Sequence, residues 1–176
     1  MSELASPKPI GPTLRPFLGD LDAVARRYRE RPSGDKAIVC RVGPHMDCAV
    51  LKLQKPAWTI DDLGRMGNQT GPFFSIWVTE AGARRGRAEY NIHAMALRRL
   101  GDYRLAARAF AARFREGFEP GRAAWPNVRT DYGPGTLMQG WFAVDLRTFA
   151  DDAFALTTQF DGVAVLIDRL LDERRK

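Results

Sequence analysis

Two cysteines and a histidine lie within a short stretch of this sequence, as Cys40, His45 and Cys48. Thiolate and imidazole are good zinc ligands, and Asp47 offers a carboxylate as a fourth ligand. The spacing does not match a standard zinc-knuckle pattern, and free cysteines often serve as small apolar side chains in a core. The sequence therefore favours structural thiols over a metal centre, and it predicts no cofactor.

A second candidate site combines His93 with the glycine- and proline-rich stretch 117–136, which contains Asp131 and Tyr132. Histidine is the usual general base, and long loops inside a domain often carry function. One hypothesis is therefore a small enzyme or ligand-binding protein with a pocket beneath this loop, using His93, Asp131 and Tyr132. The loop lacks a P-loop ending and the chain lacks a Gly-x-Ser-x-Gly elbow, so the sequence leaves open whether the protein is an enzyme.

A third candidate is a cluster of arginines on a predicted turn, preceded by a tryptophan. Arg84, Arg85 and Arg87 follow Trp77, and we name these four residues the arginine wing. Arginines contact phosphates and an exposed aromatic ring stacks on bases, which is typical of a nucleic-acid interface. Further arginines on one face of a predicted helix would extend this surface: Arg104, Arg108 and Arg115. The alternative interpretation is an ordinary solvated turn.

The composition agrees with an anionic partner without requiring one. The 176 residues carry a net charge of +6, and the sequence pI is about 9.7. Such a surface attracts nucleic acid or another anionic partner, although arginine abundance also follows from genome composition. The leading functional hypothesis is a soluble binding domain that uses its arginine-rich face in this way. Two cysteines, no apolar leader at the N-terminus and no membrane span predict a cytoplasmic protein.

The first half of the chain predicts an extended arm followed by one α+β domain. Four prolines occur within residues 1–19, and the domain is predicted to span 20–176, with Asp20 capping its first helix. Strands are predicted at 37–42 and 47–54, with the hairpin turn at 43–45, and the clearest strand is 73–80. Residues 88–100 fit both a strand and a helix, and we favour a strand returning from the arginine-rich turn.

The second half predicts a helix over 103–118, a strand over 138–144 with space left at Gly140, and a long C-terminal helix. One helical face of the last segment is apolar: Phe149, Ala153, Leu156, Phe160, Val163, Ile167 and Leu170. Asp161-Gly162 is a potential break in this helix, and its apolar face is a candidate surface for a homodimer. The predicted fold is thus α+β, with a mostly antiparallel sheet of about four or five strands, helices on one face and a long C-terminal helix.

Overall fold

The computed structural model describes residues 10–67 and 70–175 and confirms the predicted α+β fold. Five strands form one antiparallel sheet in sequence order: β1 (Val39–His45), β2 (Cys48–Gln54), β3 (Gly71–Val78), β4 (Arg87–Met95) and β5 (Thr136–Ala143). Four helices accompany them: α1 (Arg15–Glu30), α2 (Glu80–Arg84), α3 (Ala107–Phe118) and α4 (Phe149–Asp172). Short 3₁₀ turns occupy Pro56–Trp58, Leu97–Arg99 and Glu119–Ala124.

Helices α1, α3 and α4 pack on one face of the sheet because alternate residues of each strand present apolar side chains to that face. Leu51, Ile76 and Ile92 are fully buried there. At the centre of this core the Phe74 ring stacks on Phe160 of α4, with ring centroids 5.0 Å apart. This arrangement leaves the other face of the sheet without a packed helix among the described residues.

The C-terminal helix buries its whole predicted apolar stripe inside the chain. It runs unbroken from Phe149 to Asp172, so the potential break at Asp161-Gly162 does not occur. Asp161 instead anchors α1, because its carboxylate accepts hydrogen bonds from Tyr28 (2.6 Å) and Arg31 (2.9 Å). Since the stripe covers the chain's own core, a homodimer through this helix stays a prediction that would need a different face of α4.

The start of α1 and the first hairpin turn are among the boundaries in the first half that differ from the sequence prediction. Helix α1 begins at Arg15 instead of after Asp20, because Pro16 fits the first turn, where a backbone N–H has no helical partner. Part of the expected proline-rich arm is therefore helical, and Pro7 and Pro9 lie outside the described residues. The hairpin turn lies at Met46 and Asp47, both with positive φ, and not at 43–45.

The ambiguous segment 88–100 is a strand as far as Met95, as favoured, and then turns at Leu97–Arg99. Helix α3 begins at Ala107, later than the predicted start, because Tyr103 forms a β-bridge with Arg175. Strand β5 matches the predicted strand to within two residues at either end. Across the described ranges, no helix is both long and apolar enough to cross a membrane.

Candidate ligand pocket on the uncovered sheet face

A pocket of about 340 Å³ opens on the sheet face that the helices leave uncovered. Strands β2, β3 and β4 form its floor, because the residues that alternate with the core positions point to this side. Residues near 66 approach from the β1 side: a methyl group placed on Gly43 would lie 3.6 Å from Met66 Cγ. We call this site the sheet-face pocket; its lining is His45, Met46, Cys48, Val50, Lys52, Met66, Phe73, Ser75, Trp77, Asn91 and His93.

Three polar side chains form a hydrogen-bonded row along the pocket floor: Ser75, Asn91 and His93. Ser75 and Asn91 are register partners on neighbouring strands, and Ser75 Oγ donates to Asn91 Oδ1 over 2.7 Å. The amide nitrogen of Asn91 lies 2.7 Å from His93 Nε2. On the other side of the imidazole, Nδ1 lies 3.1 Å from both the Gly135 carbonyl and Thr136 Oγ1.

These contacts define the protonation of His93. An amide nitrogen only donates, so Nε2 accepts from Asn91, and Nδ1 carries the proton that it donates to Gly135. Burial lowers the pKa of His93 below its usual 6.5, and the nearby Lys52 ammonium acts in the same direction, whereas the Gly135 hydrogen bond opposes them. His93 is therefore a neutral imidazole with both nitrogens engaged.

Lys52 is the charged side chain of the pocket. It lies between Arg41 and Ser75 in the strand register and is only 6% exposed. Its ammonium lies 4.2 Å from the centroid of the Phe73 ring. Burial lowers the pKa of Lys52 to about 8, and the carboxylate of Asp61 acts in the opposite direction.

The end of the 117–136 loop contacts the pocket residue His93 through Gly135 and Thr136. Arg115 of α3 holds this part of the loop by donating to the carbonyls of Tyr132 (2.8 Å), Thr136 (3.0 Å) and Leu137 (3.3 Å). Arg115 thus positions the loop and is not displayed on a phosphate-binding surface.

Asp131 and Tyr132, the two loop residues of the enzyme hypothesis, do not line the sheet-face pocket. Asp131 pairs with Arg129 on the surface, where the two side chains are 2.5 Å apart, and Arg129 also lies over the Tyr132 ring at 5.7 Å. The Arg129 guanidinium holds the pKa of the Asp131 carboxyl below its usual value. Of the three predicted residues, only His93 belongs to the lining of the sheet-face pocket.

The predicted arginine surface is divided between the two ends of the molecule. Arg84 at the end of α2 and Arg85 directly after it are exposed, and Arg87 stacks over Trp141 at 3.8 Å. Helix α4 starts near this end, because Phe149 stacks on Phe142 at 5.9 Å. Its 24 residues correspond to a length of about 36 Å.

Arg104 and Arg108 lie at the far end of that helix. The Arg104 amide donates to the Arg174 carbonyl over 2.9 Å, and Arg108 follows within the first turn of α3. Trp77, the fourth residue of the wing, lies on the pocket side of β3 and is only partly exposed. The wing arginines and the two helix arginines lie near opposite ends of α4 and therefore do not form one surface.

The three candidate metal ligands point to opposite faces of the sheet. Cys40 pairs with Leu53 and lies in the core, where burial raises the pKa of its thiol to about 12. His45 pairs with Cys48 on the pocket side. Cys40 and Cys48 would lie opposite each other only if the hairpin turn were centred near Pro44, as the sequence predicted, and not at Met46 and Asp47. Within the described residues, no three His, Cys, Asp or Glu side chains are grouped to hold a metal ion.

Sequence reasoning did not assign Lys52, Ser75 or Asn91 to a ligand pocket. Alternation within β4 placed Asn91 and His93 on one face, and alternation within β3 placed Ser75 and Trp77 on one face. The pattern of one strand does not reveal which residues of the next strand lie beside it. The hydrogen-bonded polar row could therefore not be predicted from the sequence.

No protein-family model matches this chain, and no match is found among curated proteins or solved structures. The function therefore has to be argued from the pocket and its residues.

Proposed function

We propose that this chain binds a small molecule in the sheet-face pocket. The observation that carries the proposal is the pocket's composition: a mostly apolar cavity of about 340 Å³ in which Lys52 and a hydrogen-bonded polar row converge. Ligand sites are typically concave, largely apolar and equipped with a few placed polar groups, and their volumes are about 300–1,000 Å³. Phe73, Trp77 and Val50 would supply the apolar contacts.

The hydrogen bonds of the polar row favour binding over catalysis. A general base needs a free lone pair within reach of the substrate, and His93 Nε2 already accepts from Asn91. A serine nucleophile needs an adjacent base, whereas Ser75 donates its hydroxyl proton to an amide oxygen. A network of this kind holds side chains in fixed orientations, which is what selective binding of a ligand requires.

A fluorescence titration with Nile red, a neutral dye that brightens in apolar sites, tests this proposal. We expect saturable binding to the wild-type chain and loss of binding in Val50→Trp, because the larger side chain fills the pocket from β2. Ala143→Trp is the matched control, since it adds the same side chain to an exposed position on the same sheet face. Equal binding by both variants, each with a native thermal transition, would remove the pocket from consideration.

Nucleic-acid binding stays a second proposal, restricted to one end of the molecule. Arg84, Arg85 and Arg87 are exposed together there, which supports a small phosphate-contacting patch. A cytoplasmic location also stays a proposal, and the two free thiols Cys40 and Cys48 agree with a reducing compartment.

A further inference from the structure

The ligand class of the sheet-face pocket follows from the charges around it. Its lining contains one lysine and, as far as residues 10–67 and 70–175 show, no carboxylate. His93 is neutral because its two nitrogens are held in one tautomer. The pocket therefore combines one buried positive charge with apolar walls and a neutral polar row.

The groups around Lys52 reinforce this positive character. The titratable and charged side chains that face it from the neighbouring elements are Arg41, His45, Cys48, Asp61, Arg65 and His93. Arg41, its register partner, has its Nε buried without a hydrogen-bond partner. Asp61, the carboxylate of this set, already accepts from the Thr70 backbone at 2.7 Å and from the Thr70 hydroxyl.

We propose that the sheet-face pocket binds an apolar carboxylate, with Lys52 pairing with the carboxylate and Phe73 and Trp77 contacting an aromatic or aliphatic body. This inference rests on the proposed ligand-binding function and gives it a chemical class. A carboxylate has the charge opposite to that of the Lys52 ammonium, and their attraction is stronger in a site partly shielded from water, while the apolar body of the ligand fills the rest of the cavity.

The polar row would complete the recognition. Ser75 donates its proton to Asn91, so the lone pairs of Ser75 Oγ can accept a hydrogen bond from a ligand hydroxyl. Asn91 is fixed at both ends by Ser75 and His93, so its amide cannot turn its oxygen toward a ligand without breaking a hydrogen bond. The row would therefore favour carboxylates that also carry a hydroxyl group.

Binding of an anion beside Lys52 must be coupled to proton uptake. The pKa of Lys52 is lowered to about 8 by burial, and a bound carboxylate raises it by favouring the ammonium form. We expect the affinity for a carboxylate to fall as the pH rises from about 8 to 9.5, because the free amine has no charge to pair. Calorimetric titration in buffers of different ionisation enthalpy would measure the protons taken up near pH 8.

The direct test compares two ligands that differ only in charge, 2-naphthoate and 2-naphthamide, by calorimetry at pH 7. We expect the wild-type chain to bind the carboxylate at least about tenfold more tightly, the scale of one charge-assisted hydrogen bond. Lys52→Met should remove this preference and leave the amide affinity unchanged, and Lys52→Arg should retain part of it. Lys36→Met, a change at an exposed lysine outside the pocket, is the matched control and should behave like the wild type.

Equal affinities for the two naphthalenes, or a preference that survives Lys52→Met, would overturn the carboxylate assignment. If Val50→Trp blocks the binding of Nile red but the wild-type chain binds 2-naphthoate and 2-naphthamide equally, the proposed ligand-binding function is retained and only the carboxylate assignment is wrong. If neither Nile red nor the naphthalenes bind, the proposed function fails together with the ligand class.

Discussion

Asn91 Nδ2 donates to His93 Nε2 over 2.7 Å, and this contact assigns the imidazole proton to Nδ1. We therefore expect nitrogen-detected NMR to show His93 as the Nδ1–H tautomer, with a pKa below 6.5 because of burial. In Asn91→Asp the new carboxylate favours the imidazolium, so the pKa of His93 should rise above its wild-type value. The chain has two histidines, and His45→Gln assigns their signals.

Burial of His93 sets the sign of a pH effect on stability. The pKa of His93 is lower in the folded state than in the unfolded chain, so the unfolded chain binds more protons just below pH 6.5. The free energy of unfolding should therefore fall as the pH drops from about 7 to 5, and Asn91→Asp should weaken or reverse this contribution. An Nε2–H tautomer in the wild type, or an unchanged His93 titration in the variant, would contradict the assigned hydrogen bonds.

Asp168 joins α4 to the connection between β2 and β3. Its carboxylate accepts from Trp58 Nε1 over 2.7 Å and pairs with Lys55, which is only 7% exposed. Asp168→Ala removes both contacts and leaves Lys55 with Asp35. We expect the free energy of unfolding to fall by about 1–3 kcal/mol. This loss is smaller than for breaking a fully buried ion pair, because Asp168 is partly exposed.

Asp172→Ala is the control for this prediction. Asp172 pairs with Arg175 on the same helix, but both side chains are about two-thirds exposed, so the expected change is within about 0.5 kcal/mol. Urea unfolding of both variants measures the difference. Similar losses in the two variants would show that Asp168 acts only through general helix electrostatics.

The fold was accessible from the sequence because alternating and helical apolar patterns are local signals. Phe74, Ile76 and Val78 predicted a strand, and the stripe from Phe149 to Leu170 predicted α4, since each pattern depends only on burial of one face. The register of the first hairpin was not accessible. It depends on Met46 and Asp47 adopting positive φ, and methionine at the first of these positions does not indicate such a turn as glycine or asparagine would.

The candidate site was less accessible for a related reason. His93 was identified by residue type, but its hydrogen-bond partners are Asn91 on its own strand and the end of the loop held by Arg115. Asn91 is in turn held by Ser75 of β3. Lys52 lies in an apolar run on β2 and resembles an ordinary strand residue until its neighbours are known. Chemistry that forms across strands depends on register, and register is set by contacts between segments far apart in the chain.

Gly140 leaves room for Tyr90 on the neighbouring strand. A Cβ at Gly140 would lie 2.3 Å from Tyr90 Oη and 2.9 Å from the Pro126 carbonyl, which accepts the Tyr90 hydroxyl proton over 2.6 Å. Gly140→Ala should therefore displace the tyrosine and cost about 1–3 kcal/mol, as overpacking of a core does. Thermal or urea unfolding measures the loss.

Gly162→Ala is expected to stabilise the protein, in contrast to Gly140→Ala. Gly162 lies inside α4 with no atom within 4 Å of an added Cβ, so alanine should stabilise the helix by about 0.5–1 kcal/mol. If Gly140→Ala were neutral, the side chain of Tyr90 would have to occupy a different position from the one described.

The division of the arginines between two ends of the molecule makes the nucleic-acid proposal testable with matched charge changes. Arg84→Gln with Arg85→Gln removes two exposed charges at the α2 end and leaves Glu80 without its partner Arg84. Arg104→Gln with Arg108→Gln removes the same charge near the far end of α4. If the wing contacts phosphates, only the first pair should weaken binding of labelled single-stranded DNA and reduce its salt dependence, by about one to two released ions. Equal losses in both double variants, measured by fluorescence anisotropy at two salt concentrations, would indicate nonspecific attraction to net charge and would remove the wing as an interface.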